Sequence, residues 1–278
     1  MNMGWLDSLL YGFLSGLTEI LPVSSGGHQS IFLWLKGGTE APPMLSLFVH
    51  LGVLLALLVA GGAHVRRMRR ELRLARIPKR RRKRPVDPRP IMDWKLLKTA
   101  IVISLLFFFL RSKADSITSS LVWLSVMFLL NGVILIIPSF LPSGNKDSRM
   151  MTPMDGFLMG LCGGVGIFSG ISRLGGCLTA ATARGADKHY ALDMGLLLCI
   201  PAILVLVVFD VLAVAAAGAG GLGLLVIIKY LLSAGAAYLG VTLGILIMRF
   251  LASNAGFSGF AFYSWGAALF TFILFLTT

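Results

Sequence analysis

Apolar residues come in long blocks along this chain, not in the alternation of half-buried elements. Six blocks carry little charge: Met44 to Gly61, Leu96 to Leu110, Leu121 to Leu141, Ala191 to Ala216, Leu222 to Met248 and Gly259 to Leu276. About 20 helical residues cross a hydrocarbon layer, so each block predicts a spanning helix, the second a short one that borrows from its flanks. Two further apolar segments are interrupted. Leu9 to Leu35 is broken by Pro22 and the run Ser24-Ser25-Gly26-Gly27, and Met154 to Arg184 by six glycines between Gly163 and Gly176. A backbone broken at membrane depth leaves peptide groups unpaired and is tolerated only inside protein or beside a polar cavity. Each broken segment therefore predicts a hairpin that enters and leaves on one side.

The broken segments also match each other. Gly12-Phe13-Leu14-x-Gly16-Leu17 recurs 144 residues later as Gly156-Phe157-Leu158-x-Gly160-Leu161, and Ser25-Gly26 matches Ser169-Gly170 at the same offset. With the offset slipped to 143, Leu51-Gly52-Val53-Leu54-Leu55 faces Met194-Gly195-Leu196-Leu197-Leu198. This is the pattern of an internal duplication, residues 1–141 and 142–278, and interrupted segments at corresponding places point to a site near the midplane. With the basic loop at 62–95 placed in the cytoplasm, Lys146, Arg184, Lys188 and Arg249 also fall inside, as the positive-inside bias requires. The first hairpin then dips from outside and the second from inside, so the halves are inverted and the tips meet. The fold class expected is an all-α integral membrane protein with an inverted repeat, two re-entrant hairpins and about six transmembrane helices.

Composition agrees: of 278 residues 56% are hydrophobic and 13% charged, with mean hydropathy +0.85, where a soluble chain has about a quarter charged. The net charge of +13 is local, because Arg66 to Lys98 holds 15 of the 25 basic residues against Glu71, Asp87 and Asp93. Pro78, Pro85, Pro88 and Pro90 bracket the run Lys79 to Arg84 and predict an extended, solvated tether drawn to anionic lipid. No aromatic or glycine-rich pattern accompanies the charge, so nucleic acid is not the expected partner. Cys162, Cys177 and Cys199 lack CxxC spacing and suit an apolar core. The leader Met1 to Asp7 has no positive region, so no cleaved signal peptide is expected.

Glu19, Ser24, Ser25 and His28 lie at the first tip; Ser169, Gly170, Ser172 and Arg173 lie at the second. Intramembrane charges need a partner, a water cavity or an anionic ligand. An arginine in a glycine- and serine-rich turn, beside free N–H groups at a helix start, suits a phosphate or pyrophosphate. Ser25 is a candidate nucleophile or phosphate donor, His28 a candidate base or acid, and Glu19 either a ligand for a divalent cation or the group that orients His28. Plainer roles stand beside these: Ser24 and Ser25 as N-caps, Glu19 and Arg173 as a structural ion pair, and His28 as a satisfied interior histidine. Asp193 and Asp210 suit interface or cavity positions at span ends, and Lys229 a snorkelling side chain.

The stretch Gly16-Leu17-Thr18-Glu19-Ile20-Leu21-Pro22-Val23-Ser24-Ser25-Gly26-Gly27-His28 resembles the first signature of the bacterial undecaprenyl-pyrophosphate phosphatase family, the bacitracin-resistance type. Ser169-Gly170-Ile171-Ser172-Arg173-Leu174 resembles the second, and Ile200-Pro201-Ala202 also fits. The resemblance implies a multi-pass protein of the bacterial plasma membrane with an outward-facing site that hydrolyses undecaprenyl pyrophosphate to the monophosphate, recycling carrier lipid for the cell wall. It implies catalytic roles for Glu19, Ser25, His28 and Arg173, with Ser24, Gly26, Ser169, Gly170 and Ser172 holding the head group and Mg²⁺ or Ca²⁺ at Glu19; it leaves a homodimer open. The chain departs from the family pattern at Ser15, where a first carboxylate is expected, at Ser169 for proline, at Leu174 for a second serine, and at Cys177 for threonine. These departures predict that polar groups around the diphosphate are lost, and they keep a second reading open: a transporter that passes polyprenyl phosphate across the bilayer without hydrolysis.

Overall fold

The computed structural model describes residues 3–218 and 223–277. Met1, Asn2 and Leu222, which fall in the expected leader and fifth span, lie outside that range. Eleven α-helices occur among the described residues: α1 (Trp5–Ile20), α2 (Ser25–Leu35), α3 (Pro43–Arg76), α4 (Arg89–Leu106), α5 (Arg111–Thr118), α6 (Leu121–Ile136), α7 (Pro153–Gly164), α8 (Arg173–Ala183), α9 (Lys188–Ala217), α10 (Leu224–Asn254) and α11 (Phe260–Leu276). The protein is an all-α integral membrane protein. Four helical stretches, Pro43–Arg76, Leu121–Phe140, Lys188–Ala217 and Leu224–Asn254, are long and apolar enough to cross a membrane alone. The other two expected spans are α4, which begins with Arg89, Asp93, Lys95 and Lys98, and α11, which has 17 residues.

Both broken segments form helical hairpins, α1 with α2 and α7 with α8. The open end of the first is tied by Lys36 Nζ to Asp7, 2.7 Å, and that of the second by Arg184 Nε to Asp155, 2.6 Å. These ties sit at opposite ends of the bundle. The Asp155 end also gathers the starts of α4 and α9 through Tyr190 to Asp93 (2.9 Å), whereas the Asp7 end holds the start of α10 through Lys229 to the Met3 carbonyl (2.8 Å). Lys229 is therefore buried on a backbone acceptor and does not snorkel.

Each hairpin packs on a helix of the other half. A methyl group at Gly12 or Gly16 of α1 would run into the Ser233 or Ala237 carbonyl of α10; one at Gly156 or Gly160 of α7 would run into the Leu96 or Ala100 carbonyl of α4. Small residues at such seams let helices in lipid approach closely enough for dispersion contacts to hold them. The matched motifs of the sequence are thus the contact faces of the two hairpins. Helix α3 packs on α9, and α6 on α11.

The basic segment corrects an expectation. It is no extended tether: α3 continues through the charges to Arg76, because no proline lies between Pro43 and Pro78 and Arg, Leu, Glu and Ala favour helix. After a 3₁₀ turn at Lys79–Arg81 the chain folds back, and α4 begins at Arg89.

Candidate active site

The tips are two head-to-head helix starts. Ser24 caps α2, its Oγ accepting from Gly27 N (3.3 Å), and Ser172 caps α8, its Oγ accepting from Gly175 N (3.0 Å). Gly170 N also donates to Ser24 Oγ, 2.9 Å, so one hydroxyl joins the hairpins. Ser24 holds φ 71°, the one positive value at a non-glycine among the described residues. Such a conformation costs about 1–3 kcal/mol and persists only where surroundings over-determine it, here through two amides on one side chain. First-turn N–H groups of both helices and their dipoles converge on the junction.

Within this junction Ser25 Oγ donates to Glu19 Oε2 in a short hydrogen bond, and Arg173 Nη1 stands 3.3 Å from Glu19 Oε1. Side chains of Glu19 and Arg173 are 8% and 9% exposed, so each would be a costly buried charge without the other or an anionic ligand. All three line a cavity of about 640 Å³ with Ser24, Gly26, Ser169 and Ser172. The structure thus brings these sequence-derived residues together, and Gly170 closes the floor through its bond to Ser24.

His28 is turned away. A carbonyl only accepts, so His28 Nδ1 donates to Ser24 O at 2.7 Å; Nε2 then accepts from the Tyr263 hydroxyl at 2.7 Å. The ring stacks on Tyr263 and meets Phe128 edge-on, with centroids 5.7 and 5.5 Å apart. Both nitrogens are spent on struts to the preceding turn and α11, so neither is placed to exchange a proton with Ser25 or to be oriented by Glu19.

Two of the sequence departures also lie elsewhere. Leu174 is fully buried against Gly195 of α9, and the Cys177 thiol donates to the Met159 carbonyl at 3.5 Å. Neither lines the cavity: Leu174 faces α9 and Cys177 faces α7. They do not strip polar groups from the site. Ser15 is 2% exposed, with its hydroxyl bonded back to the Tyr11 carbonyl at 2.6 Å.

Several residues escaped the sequence reading. Asn131 of α6, fully buried, accepts from Ser172 N (2.8 Å) and donates to Pro22 O (3.1 Å) and Ser264 Oγ (2.9 Å), bracing both tips at once. Further along the cavity wall, His50 Nδ1 lies 2.5 Å from Asp210 Oδ2, and Ser46 Oγ donates to Asp210 Oδ1 at 3.0 Å. Arg111 lies over Phe209, which stacks on Phe108, itself under Arg173; the centroid distances are 4.6, 6.2 and 5.8 Å. For Asp210 the sequence points to an interface or cavity position, and the cavity is where it lies; for Asn131 and His50 the signal is polarity inside an apolar block.

The donor set does not fit a divalent cation held by protein alone. Both oxygens of Glu19 face a hydroxyl and a guanidinium, and no group of three or more His, Cys, Asp or Glu side chains suited to a metal comes together among the described residues.

A helical membrane protein whose two broken helices meet around a carboxylate, a hydroxyl and a guanidinium belongs to the class with a membrane-buried polar site for an anionic lipid. The particular family follows from comparison: the chain belongs to the family described as bacitracin resistance protein BacA, which matches residues 8–270. It is 31% identical to the undecaprenyl-diphosphatase of Methanobrevibacter smithii over 73% of this chain and 74% of that one. It is 32% identical to that of Carboxydothermus hydrogenoformans over 75% and 74%. With that of Alkaliphilus metalliredigens the identity is 26%, over 95% and 96%.

Proposed function

We propose that this protein is an undecaprenyl-diphosphatase that cleaves the terminal phosphate from the polyprenyl diphosphate. The observation that carries the reading is Glu19 standing between Ser25 and Arg173 at the bottom of the cavity. An incoming phosphate competes with Glu19 for the Arg173 guanidinium, which offers a fork of donors, while first-turn amides of α2 and α8 supply further N–H groups. Ser25 Oγ attacks the terminal phosphorus, its proton passing to Glu19, and the bond to the bridging oxygen breaks. Lipid monophosphate leaves. Water then attacks the phosphoserine, and Glu19 returns its proton to Ser25 Oγ as inorganic phosphate departs. Arg173 and the helix starts stabilise the charge that develops on the transferred group.

His28 serves as a positioning residue, holding the Ser24 turn against α11. The cavity mouth is lined by Glu40, Pro43 and Asp115, at the end opposite the basic segment. With that segment in the cytoplasm by the positive-inside bias, the cavity opens on the outer face of the plasma membrane. The test is phosphate release from undecaprenyl diphosphate by purified protein in detergent. Release should be lost in Ser25→Ala, Glu19→Gln and Arg173→Ala; release at the wild-type rate in all three would overturn the assignment.

A further inference from the structure

The end of α3 farthest from the cavity builds something the sequence did not suggest. At 1.5 Å per residue its 34 residues reach about 51 Å, so its basic turns stand roughly 20 Å beyond a 30 Å hydrocarbon layer. The returning segment is pinned to those turns. Glu71, 1% exposed, accepts from Arg84 at 2.5 and 3.2 Å and from the Asp87 amide at 3.1 Å. Arg82 caps the end of α3, donating at 2.8 Å to the carbonyls of Ile77 and Ala75, and Arg67 holds Asp87 at 2.6 Å. The guanidinium of Arg84 keeps the Glu71 carboxyl below its ordinary range, so the pin is a carboxylate at neutral pH.

Between helix and return segment lies a cleft of about 690 Å³ with Leu74 and Ile77 in its wall. Arg66, Arg69, Arg73, Arg81 and Lys83 line it, and none of these side chains has a hydrogen-bond or ion-pair partner among the described residues. Five unpaired cations facing one hollow repel each other, and an unpinned loop would let them spread into water. Here the two nearby carboxylates are spent on the scaffold and leave the hollow positive. Attraction to a flat anionic surface needs no hollow; arginine forks that converge are what phosphate oxygens require.

We propose that this cleft is a binding site for a compact anion carrying several phosphates, either the head group of a diphosphate-bearing lipid or a soluble polyphosphate. It is independent of the hydrolytic site and of the function proposed for it. Two probes separate the sources: calorimetric titration of the purified full chain in neutral detergent with tripolyphosphate, against sulfate at equal ionic strength, and native mass spectrometry of diphosphatidylglycerol adducts.

At least one probe should bind. R69Q/R73Q should weaken it about tenfold or more, whereas R76Q/R80Q, which removes equal charge outside the cleft, should change it less than about threefold. Glu71→Gln supplies the sharper arm, because it makes the protein more positive yet frees the return segment. A built site predicts weaker binding, diffuse basicity tighter binding. Tripolyphosphate binding alone assigns a soluble ligand, and lipid adducts alone a lipid. Binding of neither probe, equal loss in the two double variants, or tighter binding by Glu71→Gln would overturn the proposal. Circular dichroism of each variant checks that the helices are intact.

Discussion

The two hairpins carry matching sequence yet make their turns by different means. The second turns at Gly170, whose φ of 101° suits a residue without a side chain, and it contributes the guanidinium from the first residue of α8. The first turns at Ser24, where a side chain is forced into the same half of conformational space and used to catch the amide of Gly170. It contributes the hydroxyl and the carboxylate. One hairpin is thus a relaxed carrier of the anion-holding group, and the other a braced carrier of the reacting groups.

Arg173→Ala tests this division most severely. Turnover should fall about 10³-fold, the scale for removing a charge-stabilising donor from a preorganised site. Arg173→Lys should recover part of the loss, since a point charge remains without the fork. Phosphate release above a tenth of wild type in Arg173→Ala would move the anion-holding role off the second hairpin.

Next in size, Leu174→Ser should cost about 2–4 kcal/mol of stability by emptying a core position and burying a hydroxyl, without raising turnover per folded molecule. Thermal unfolding in detergent beside the phosphate assay decides it; a gain of turnover would put that side chain at the diphosphate after all. Gly170→Ala should cost about 1–3 kcal/mol, because alanine resists the positive φ and its methyl would meet Met127. Ser24→Gly should be closer to neutral, relief of the backbone offsetting two lost hydrogen bonds. Equal losses at the two turns would erase the contrast between relaxed and braced.

A smaller effect is expected at the strut. Tyr263→Phe and His28→Phe should each lower kcat by up to about tenfold, the worth of one buried hydrogen bond, and the double variant should lose no more than the worse single. Additive losses would show that His28 acts in a way Tyr263 does not share. Outside both hairpins, the return segment should loosen in acid. Arg84 depresses the Glu71 carboxyl and Arg67 that of Asp87, so the stability they confer is present above their ordinary values, 4.5 and 3.8, and is lost as pH falls through the folded ones. Protection factors for hydrogen exchange at residues 79–88, corrected for the intrinsic rate, should fall on acidification while α1 and α10 stay protected.

Hydropathy located the four helical stretches long enough to cross a membrane alone, because lipid leaves the backbone no other option, and the same rule made Pro22 and the clustered glycines visible as breaks. The meeting of Glu19, Ser25 and Arg173 was legible because an intramembrane charge must find a partner. The facing of individual side chains was not. His28 sits three residues past Ser25, and what turns its ring is a phenol 235 residues away. Leu174 follows Arg173 directly, but successive helix residues point about 100° apart, and only α9 tells which side is core. His50 and Asp210 form a pair across 160 residues, brought together from two separate apolar blocks. Glu71 could have been noticed as one carboxylate amid arginines, a sign of a fold where only a tether was expected.

The crossed seams bear on biosynthesis. The face formed by Gly12 and Gly16 docks on carbonyls past residue 230, so the first hairpin is threaded into the bilayer long before its groove has been translated. A ribosome that stalls after α9 leaves the glycine face of α1 without the helix it packs against. Nascent chains of that length should be the ones that quality-control proteases clear.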